Sequence, residues 1–472
     1  MKQKEEYKRI VFIEYPLAYE RPDFCDKLME EFESVFVKRM IKSELFPRRL
    51  GNYTDQEEIT KLFRYPQVGG WVQALYPHIK DLLPYKYICM SGIDLIGDIQ
   101  LISEAIAEDR VIILLSFSSK HRSAAIYLSN HIKKRHMNSL LIIGGPHVNA
   151  EPHLSVMETE ADVAVYGEAD HLIRPLIESI LVDKTFSHKS ILYKGSNSKP
   201  SFTFASIDDR LHTWSVFLSE NVESSSNICR LTLERFCKAQ CGFCSKLHCR
   251  SHLPEIATYG IEWLRAYQDI IGKNDIYLKV EDSDFNLTAY NKTDFYNFLK
   301  DSNISWSTSI RVGLADNDAR EAIKSASNSG CHKAFIGVES FQDKLLKAVN
   351  KQIKSEDMIP YFELLKSSGI RLFTNLIIGL PFQTKDDIAK DIEIAKGLIR
   401  DGLLDVVHAS VLGLYPGTPF KNNPTKYGII IEDDNTDNLD KTIQHSTREL
   451  TSSEIKESYK YVLQELGNSM AM

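Results

Sequence analysis

Three cysteines in one short run are the residues best equipped to do chemistry. They lie in Leu233-Glu234-Arg235-Phe236-Cys237-Lys238-Ala239-Gln240-Cys241-Gly242-Phe243-Cys244. The spacing is C-x3-C-x2-C. Thiolates are soft ligands for iron and zinc. Three on one loop can each take one iron of a [4Fe-4S] cubane. The fourth iron then lacks a protein ligand, and an amino-carboxylate can chelate it. Gly242 permits the tight loop, and Phe243 is placed to shield the cluster from water. A structural zinc site is the rival reading. Zinc wants four protein ligands and often uses C-x2-C pairs, and His248 or Cys249 could supply the fourth.

The elements that must position this loop come from the apolar runs around it. Residues 228–420 alternate strand and helix. Ile276-Tyr277-Leu278-Lys279-Val280, Ala334-Phe335-Ile336 and Leu376-Ile377-Ile378 read as strands. Ala322 to Asn328, stopped by Gly330, and Lys344 to Val349 read as helices. Regular βα repetition predicts a (β/α)6-type partial barrel whose chemistry sits at the carboxyl ends of its strands. Residues 1–190 also alternate. Val11-Phe12-Ile13, Val111 to Leu115, Leu140 to Ile143 and Val163 to Tyr166 read as strands, and Ala125, Leu128 and Ile132 fall at helical spacing. The pattern predicts an α/β fold with an N-terminal doubly wound parallel sheet. Gly144-Gly145 and Gly167-Glu168 follow strand ends, where a ligand can cross the carboxyl edge, although tight turns alone would also place glycines there. The turn-rich residues 191–227 read as a linker. Residues 421–472 read as a small polar, helical C-terminal region, ending in a helix from Ser452 to Glu465.

Composition narrows the class. The 472 residues are 43% hydrophobic and 26% charged, with a formal net charge of -7, so no basic nucleic-acid footprint is expected. The charged start, Met1-Lys2-Gln3-Lys4-Glu5-Glu6, shows no signal peptide. No apolar run approaches the ~20 residues of a membrane span. The expected place is the cytoplasm, with neither nucleic acid nor membrane as partner. Four of the eight cysteines fall between residues 237 and 249. In a reducing compartment that clustering favours metal ligation over disulfides.

The cysteine loop resembles the signature of the radical S-adenosylmethionine (SAM) superfamily, including the aromatic residue before the last cysteine. The resemblance continues downstream in order. It takes in Glu281-Asp282-Ser283-Asp284-Phe285, then Trp306 to Arg311, then Gly330-Cys331 with Gly337-Val338-Glu339-Ser340. It goes on through Ile377-Ile378-Gly379-Leu380-Pro381 with Thr384, and ends at Tyr415-Pro416-Gly417-Thr418-Pro419. It implies that Cys237, Cys241 and Cys244 hold a [4Fe-4S] cluster, which reductively cleaves SAM to a 5′-deoxyadenosyl radical. Arg311 would pair with the SAM carboxylate, since a guanidinium does so bidentately. Glu339 would accept hydrogen bonds from the ribose or amino group. Glu281 and Asp282 would hold the ammonium, with Ser309 a candidate of the same kind. Each of these could instead be a structural ion pair or a solvated charge. Cys249 could be a substrate-side thiol or idle.

Ser116-Phe117-Ser118, Gly144-Gly145-Pro146-His147 and Asp162 to Glu168 resemble the cobalamin-binding domain that precedes many such barrels. By that likeness Ser116, Gly144 and Gly145 would line the groove for the nucleotide tail, with Gly167 and Glu168 further along the edge. The D-x-H-x-x-G that supplies a cobalt ligand in related mutases is absent, and His147 reads as a turn residue. Residues 14–100 do not look like the usual first βα units. Arg21-Pro22-Asp23 and Phe46 to Gly51 read as irregular surface. The implied function is cobalamin-dependent methylation of a small natural-product or metabolic intermediate, with flavodoxin or ferredoxin as electron donor. Two alternatives stay open. One is cobalamin-independent radical dehydration, deoxygenation or rearrangement; the other is a non-catalytic iron–sulfur or zinc protein.

Overall fold

The structure is a computed structural model that describes residues 6–14, 70–89, 95–107, 110–203, 228–233, 237, 239–245, 260–262, 264–265, 268, 276–282, 284–285, 287, 292–436 and 442–469. The chain divides into two compact units, Met1–Val222 and Glu223–Met472.

In the first unit six strands, β1 (Arg9–Glu14), β2 (Tyr85–Cys89), β3 (Val111–Ser116), β4 (Leu140–Gly144), β5 (Val163–Val165) and β6 (Ile191–Tyr193), form one sheet in the order β2-β1-β3-β4-β5-β6. All pair in parallel except β6, which runs antiparallel to β5. Among the described residues six α-helices accompany them: α1 (Gly70–Ile79), α2 (Leu95–Ile106), α3 (Arg122–Arg135), α4 (Pro146–Ala150), α5 (Pro152–Thr159) and α6 (Ile173–Leu181). The apolar runs are continuous because both faces are covered. Ile10, Phe12, Ile112, Leu114 and Ile142 pack on α1 and α6 through Val72, Tyr76, Leu176 and Ile177. Val11, Ile13, Ile113, Leu115 and Ile143 pack on α3 through Ala125, Leu128 and Ile132. Each of these larger apolar side chains contributes about 1.5–3 kcal/mol when fully buried.

The strand order reverses between β1 and β3, and such a switch point opens a crevice at the carboxyl edge. Two expectations need correcting. Within residues 14–100, α1, β2 and α2 are regular βα elements. The alternation Tyr85-Lys86-Tyr87-Ile88-Cys89 suits an edge strand, and that is why no apolar run marked it. Arg21-Pro22-Asp23 and Phe46 to Gly51 lie outside the described residues. At the other end, Ile191-Leu192-Tyr193 opens the expected linker but closes the sheet as β6, because Ile191 and Leu192 are apolar enough to bury.

In the second unit β7 (Ile228–Leu231), β8 (Tyr277–Val280), β9 (Ser305–Arg311), β10 (Cys331–Glu339), β11 (Arg371–Ile378) and β12 (Val406–Val411) pair in parallel and in chain order. This is the topology of a (β/α)6 partial barrel. The helices bounded among the described residues are α7 (Thr293–Asp301), α8 (Asn317–Asn328), α9 (Asp343–Ala348), α10 (Ser355–Ser367) and α11 (Lys385–Arg400), followed by the short α12 (Pro419–Asn422) and by α13 (Ser452–Ser469). Gly330 follows α8 at φ 98°, the left-handed position that ends a helix without a Cβ penalty. Thr384 and Asp387 form a capping box on α11, which starts that helix directly after the β11 loop.

Residues 421–472 are more than polar and helical. β13 (Ile429–Ile431) pairs antiparallel with β14 (His445–Thr447), and α13 packs on α11 and β12. Among the described residues no helix is long and apolar enough to cross a membrane.

Candidate active site

The cysteine loop follows β7 and is fastened at both ends. Asp282, 2% exposed, accepts the Leu233 N–H at 2.7 Å, and the Glu281 N–H donates to Leu231 at 2.8 Å. These bonds tie the loop entry to the end of β8. The Gly242 N–H donates to the Val349 carbonyl at 2.9 Å, and the Gly242 carbonyl accepts from Phe420 at 3.0 Å. Asn350 Nδ2 donates to the Gln240 carbonyl at 2.9 Å. The requirement for glycine is steric: a Cβ on Gly242 would stand 2.1 Å from the Phe420 ring. Phe243 packs against a buried cluster of Leu345, Val349, Ile377, Leu412 and Phe420.

Cys241 is buried, and Cys237 and Cys244 are partly exposed; none of the three is in a disulfide. Burial pushes the Cys241 thiol up. The Lys351 and Arg311 cations pull it back, and Cys244 and Glu339 push it further up. A cubane takes one thiolate per iron, and the loop offers three. Cations beside a buried thiol favour the thiolate that iron requires. The donor set therefore fits a [4Fe-4S] cluster with one iron left open. Cys249 and His248 lie outside the described residues.

Beside the loop stands a group of charged side chains at the carboxyl ends of β9 and β10. Arg311 donates through its guanidinium to the Lys351 carbonyl, and its Nε lies 3.8 Å from Asp284. Lys351 Nζ donates to Glu339 Oε1 at 2.7 Å, with both side chains nearly buried. Glu339 ends β10 at φ 67° beside a register shift from Gly337, so the strand turns its last carboxylate toward Lys351. Gly337 makes the room, since a Cβ there would lie 2.7 Å from Lys351 Nζ. A non-glycine residue at this φ costs on the order of 1 kcal/mol or more.

The expected residues divide. Cys241, Arg311 and Glu339 come together with Lys351. Ser309 lies on the same face of β9, two residues before Arg311. Glu281 lies at the end of β8 and pairs with Lys279 at 3.0 Å. Asp282 is occupied in part by the Leu233 backbone, a positioning contact. Lys351, Asn350, Asp284 and Phe420 were not singled out from the sequence. Asn350, at φ 55° just after α9, is the kind of residue that ends a helix in the left-handed region. That signal could have drawn attention to the loop, though not to the lysine after it.

In the first unit Ser116 pairs in register with Gly144 at the carboxyl edge. Gly145 has φ 100°, and a Cβ there would lie 2.5 Å from Ser116 Oγ. Gly144 meets nothing nearer than the Val165 carbonyl at 3.8 Å. A Cβ therefore fits at Gly144 and not at Gly145. His147 is buried, with Nδ1 2.9 Å from Ser119 Oγ. The Gly167 N–H donates to Asn149 Oδ1 at 2.8 Å and the Glu168 N–H to the Thr203 carbonyl at 3.1 Å.

Residues 232–395 match the family model of the Radical SAM superfamily. The chain carries a radical SAM domain. It is 26% identical over 298 residues to a protein of Pyrococcus horikoshii named as an uncharacterized methyltransferase, covering 60% of this chain and 62% of that one. It is 21% identical to bacteriochlorophyllide d C-12(1)-methyltransferase of Chlorobaculum tepidum, covering 60% and 59%. These matches span about three-fifths of the length of each relative. Two solved structures share the fold. The radical SAM methyltransferase TsrM of Kitasatospora setae, with tryptophan substrate and a SAM analogue bound, aligns with TM-score 0.63 and 10% identity over 98% of this chain and 89% of that one. The cobalamin-dependent SAM radical enzyme OxsB, with aqua-cobalamin and SAM bound, aligns with TM-score 0.67 and 15% identity over 96% and 66%.

Proposed function

We propose that this protein is a radical SAM enzyme that methylates a small natural-product or metabolic intermediate with the help of cobalamin. One observation carries the reading: the three-cysteine loop is fastened beside Arg311, Lys351 and Glu339 at the carboxyl edge of a parallel six-stranded sheet. When bound and reduced, the cluster would supply the electron that splits SAM and releases a 5′-deoxyadenosyl radical. Cobalamin would supply the methyl group.

The protein's part is to bind and orient. Asp284 and the Lys351 carbonyl fix one side of the Arg311 guanidinium and leave its remaining N–H groups to take a carboxylate. Glu339, held by Lys351, would accept from the ribose or amino group. Glu281 and Ser309 stand on neighbouring strands for the same ligand. Phe243, backed by Phe420, would keep water from the cluster. Ser116, Gly144 and Gly145, with Gly167 and Glu168 beyond them, would line the cobalamin groove. The switch point between β1 and β3 supports that reading, as does the cobalamin named for OxsB.

The reading assigns the first sheet, through β6, to cobalamin, 228–420 to radical generation and 421–472 to a C-terminal region of one strand pair and α13. It implies a cytoplasmic enzyme served by a flavodoxin or ferredoxin.

The test is anaerobic reconstitution with iron, sulfide and hydroxocobalamin, then reductant and SAM. Four irons, one cobalt and 5′-deoxyadenosine per chain are expected. Iron and 5′-deoxyadenosine without cobalt would shift the function to cobalamin-independent radical chemistry. A Cys237→Ala, Cys241→Ala or Cys244→Ala variant that still formed 5′-deoxyadenosine would overturn the reading.

A further inference from the structure

The face of the second sheet turned away from its helices carries a pattern that the reaction so far has not used. Side chains alternate along a strand. Trp306 of β9 stacks on Tyr296 of α7 at 5.8 Å, so Ser307, Ser309 and Arg311 share the opposite face. The register then defines rungs across that face. Lys279 pairs with Ser307, Ser307 with Lys333, and Lys333 with Arg371. This rung holds three cations from three strands. Two residues nearer the carboxyl ends, Ser309 pairs with Phe335 and Phe335 with Phe373. One rung further, Arg311 pairs with Gly337, Gly337 with Asn375, and Asn375 with His408.

The cations are not equally compensated. Lys279 pairs with Glu281 at 3.0 Å, and Arg371 has Asp405 at 3.9 Å. Asp405 in turn is held by Lys366 at 2.7 Å. Among the described residues no carboxylate pairs with Lys333, whose Nζ lies 5.3 Å over the Phe373 ring. Burial, with Lys279 and Arg371 beside it, pulls its ammonium down to about 8. A largely buried ammonium with two further cations beside it is costly to hold unless an anion joins it. The rung above is apolar yet open. Phe335 is 38% exposed and stacks on His408 at 6.5 Å.

We propose that this face binds the substrate, and that the substrate carries a carboxylate or phosphate held by Lys333 with Lys279 and Arg371, on an apolar body lying along Phe335 and Phe373. The inference rests on the radical reading, which needs a substrate on the inner side of this sheet. Four residues separate the Lys333 rung from the Arg311 rung, about 13 Å along the strands. The anionic group therefore sits roughly that far from the SAM edge, and the carbon to be attacked lies at the other end of the molecule. A rung of cations four residues deep selects for length as well as charge.

The experiment is calorimetric titration of the full reconstituted chain with three probes: 4-phenylbutyl phosphate, 4-phenylbutyrate and 4-phenylbutan-1-ol. One or both anions should bind about tenfold or more tighter than the alcohol, and their ratio says which anion the rung prefers. Lys333→Met should abolish that preference, and Lys333→Arg should restore it. Phe335→Ala should weaken all three probes alike. Equal binding of alcohol and anions, a preference that survives Lys333→Met, or no binding of any probe would overturn the proposal. Iron content and SAM affinity, read on the same samples, test the radical reading separately. Their loss with probe preference intact would overturn that reading and leave the anion site standing.

Discussion

Gly242 shows how one missing methyl group sets a site. Its Cβ would meet the Phe420 ring at 2.1 Å, and Phe420 is fully buried. Gly242→Ala should therefore displace the cysteine loop or the ring, at ~1–3 kcal/mol for an overpacked core. Iron per chain after reconstitution should fall with the melting temperature. Adding Phe420→Leu, which shortens the opposing side chain, should recover part of both. Lys351 makes a second case. Lys351→Met leaves the Glu339 carboxylate buried and unpaired, a loss of ~3–5 kcal/mol. The Lys351→Met/Glu339→Gln double variant should lose much less, and urea unfolding of the parent, Lys351→Met, Glu339→Gln and the double variant measures the coupling. The two residues differ in legibility. Gly242 stands inside a motif whose spacing announces it. Lys351 reaches the site only because α9 and a left-handed turn at Asn350 bring it under Gly337, and no spacing in the sequence encodes that return.

At the scale of elements, the central strands were legible because burial on both faces makes them continuous apolar runs, as in Val111 to Leu115 or Leu140 to Ile143. β2 and β6 were not, because an edge strand keeps polar residues or only three positions. β12 was also missed: Val406-Val407-His408-Ala409-Ser410-Val411 is diluted by the residues that face the open side of the sheet. The turn after β10 was legible as sequence but not as structure. Its hold is Asp391 of α11, which accepts from Ser340 Oγ at 2.7 Å, from the Phe341 N–H at 3.0 Å and from Gln342 Nε2 at 3.2 Å. Burial outweighs these donors and raises the Asp391 carboxyl to about 6. The folded protein thus holds this proton more tightly than the unfolded chain. The stability it contributes is present below the ordinary carboxylate range and is lost as pH rises through about 6. Urea midpoints between pH 4 and 7 should show this decline in the parent and a flatter profile in Asp391→Asn. Asp391→Ala should cost ~1–3 kcal/mol at any pH by orphaning the Phe341 N–H.

At the scale of the molecule, the proposed function gives the two units different ligands, so cobalt would report the first and iron the second. This makes the cobalamin assignment testable without turnover. The carboxyl edge at β3 and β4 offers two adjacent glycines with opposite tolerances. At Gly145 a side chain would strike Ser116 and Phe117 and would also need a left-handed backbone. A variant there confounds folding with binding. At Gly144 the nearest atom to a Cβ is the Val165 carbonyl at 3.8 Å, so Gly144→Leu should fold with its melting temperature nearly unchanged and project four carbons from the strand end. If a corrin tail crosses this edge, that side chain stands in its path. Cobalt per chain should then fall about tenfold or more at limiting hydroxocobalamin, while iron per chain and SAM affinity stay at the parent level. Full cobalt loading in Gly144→Leu would take the corrin away from this edge. The glycine pair would then be a tight turn that lets α4 start directly beneath Phe117, the other meaning such a pair has in a doubly wound sheet.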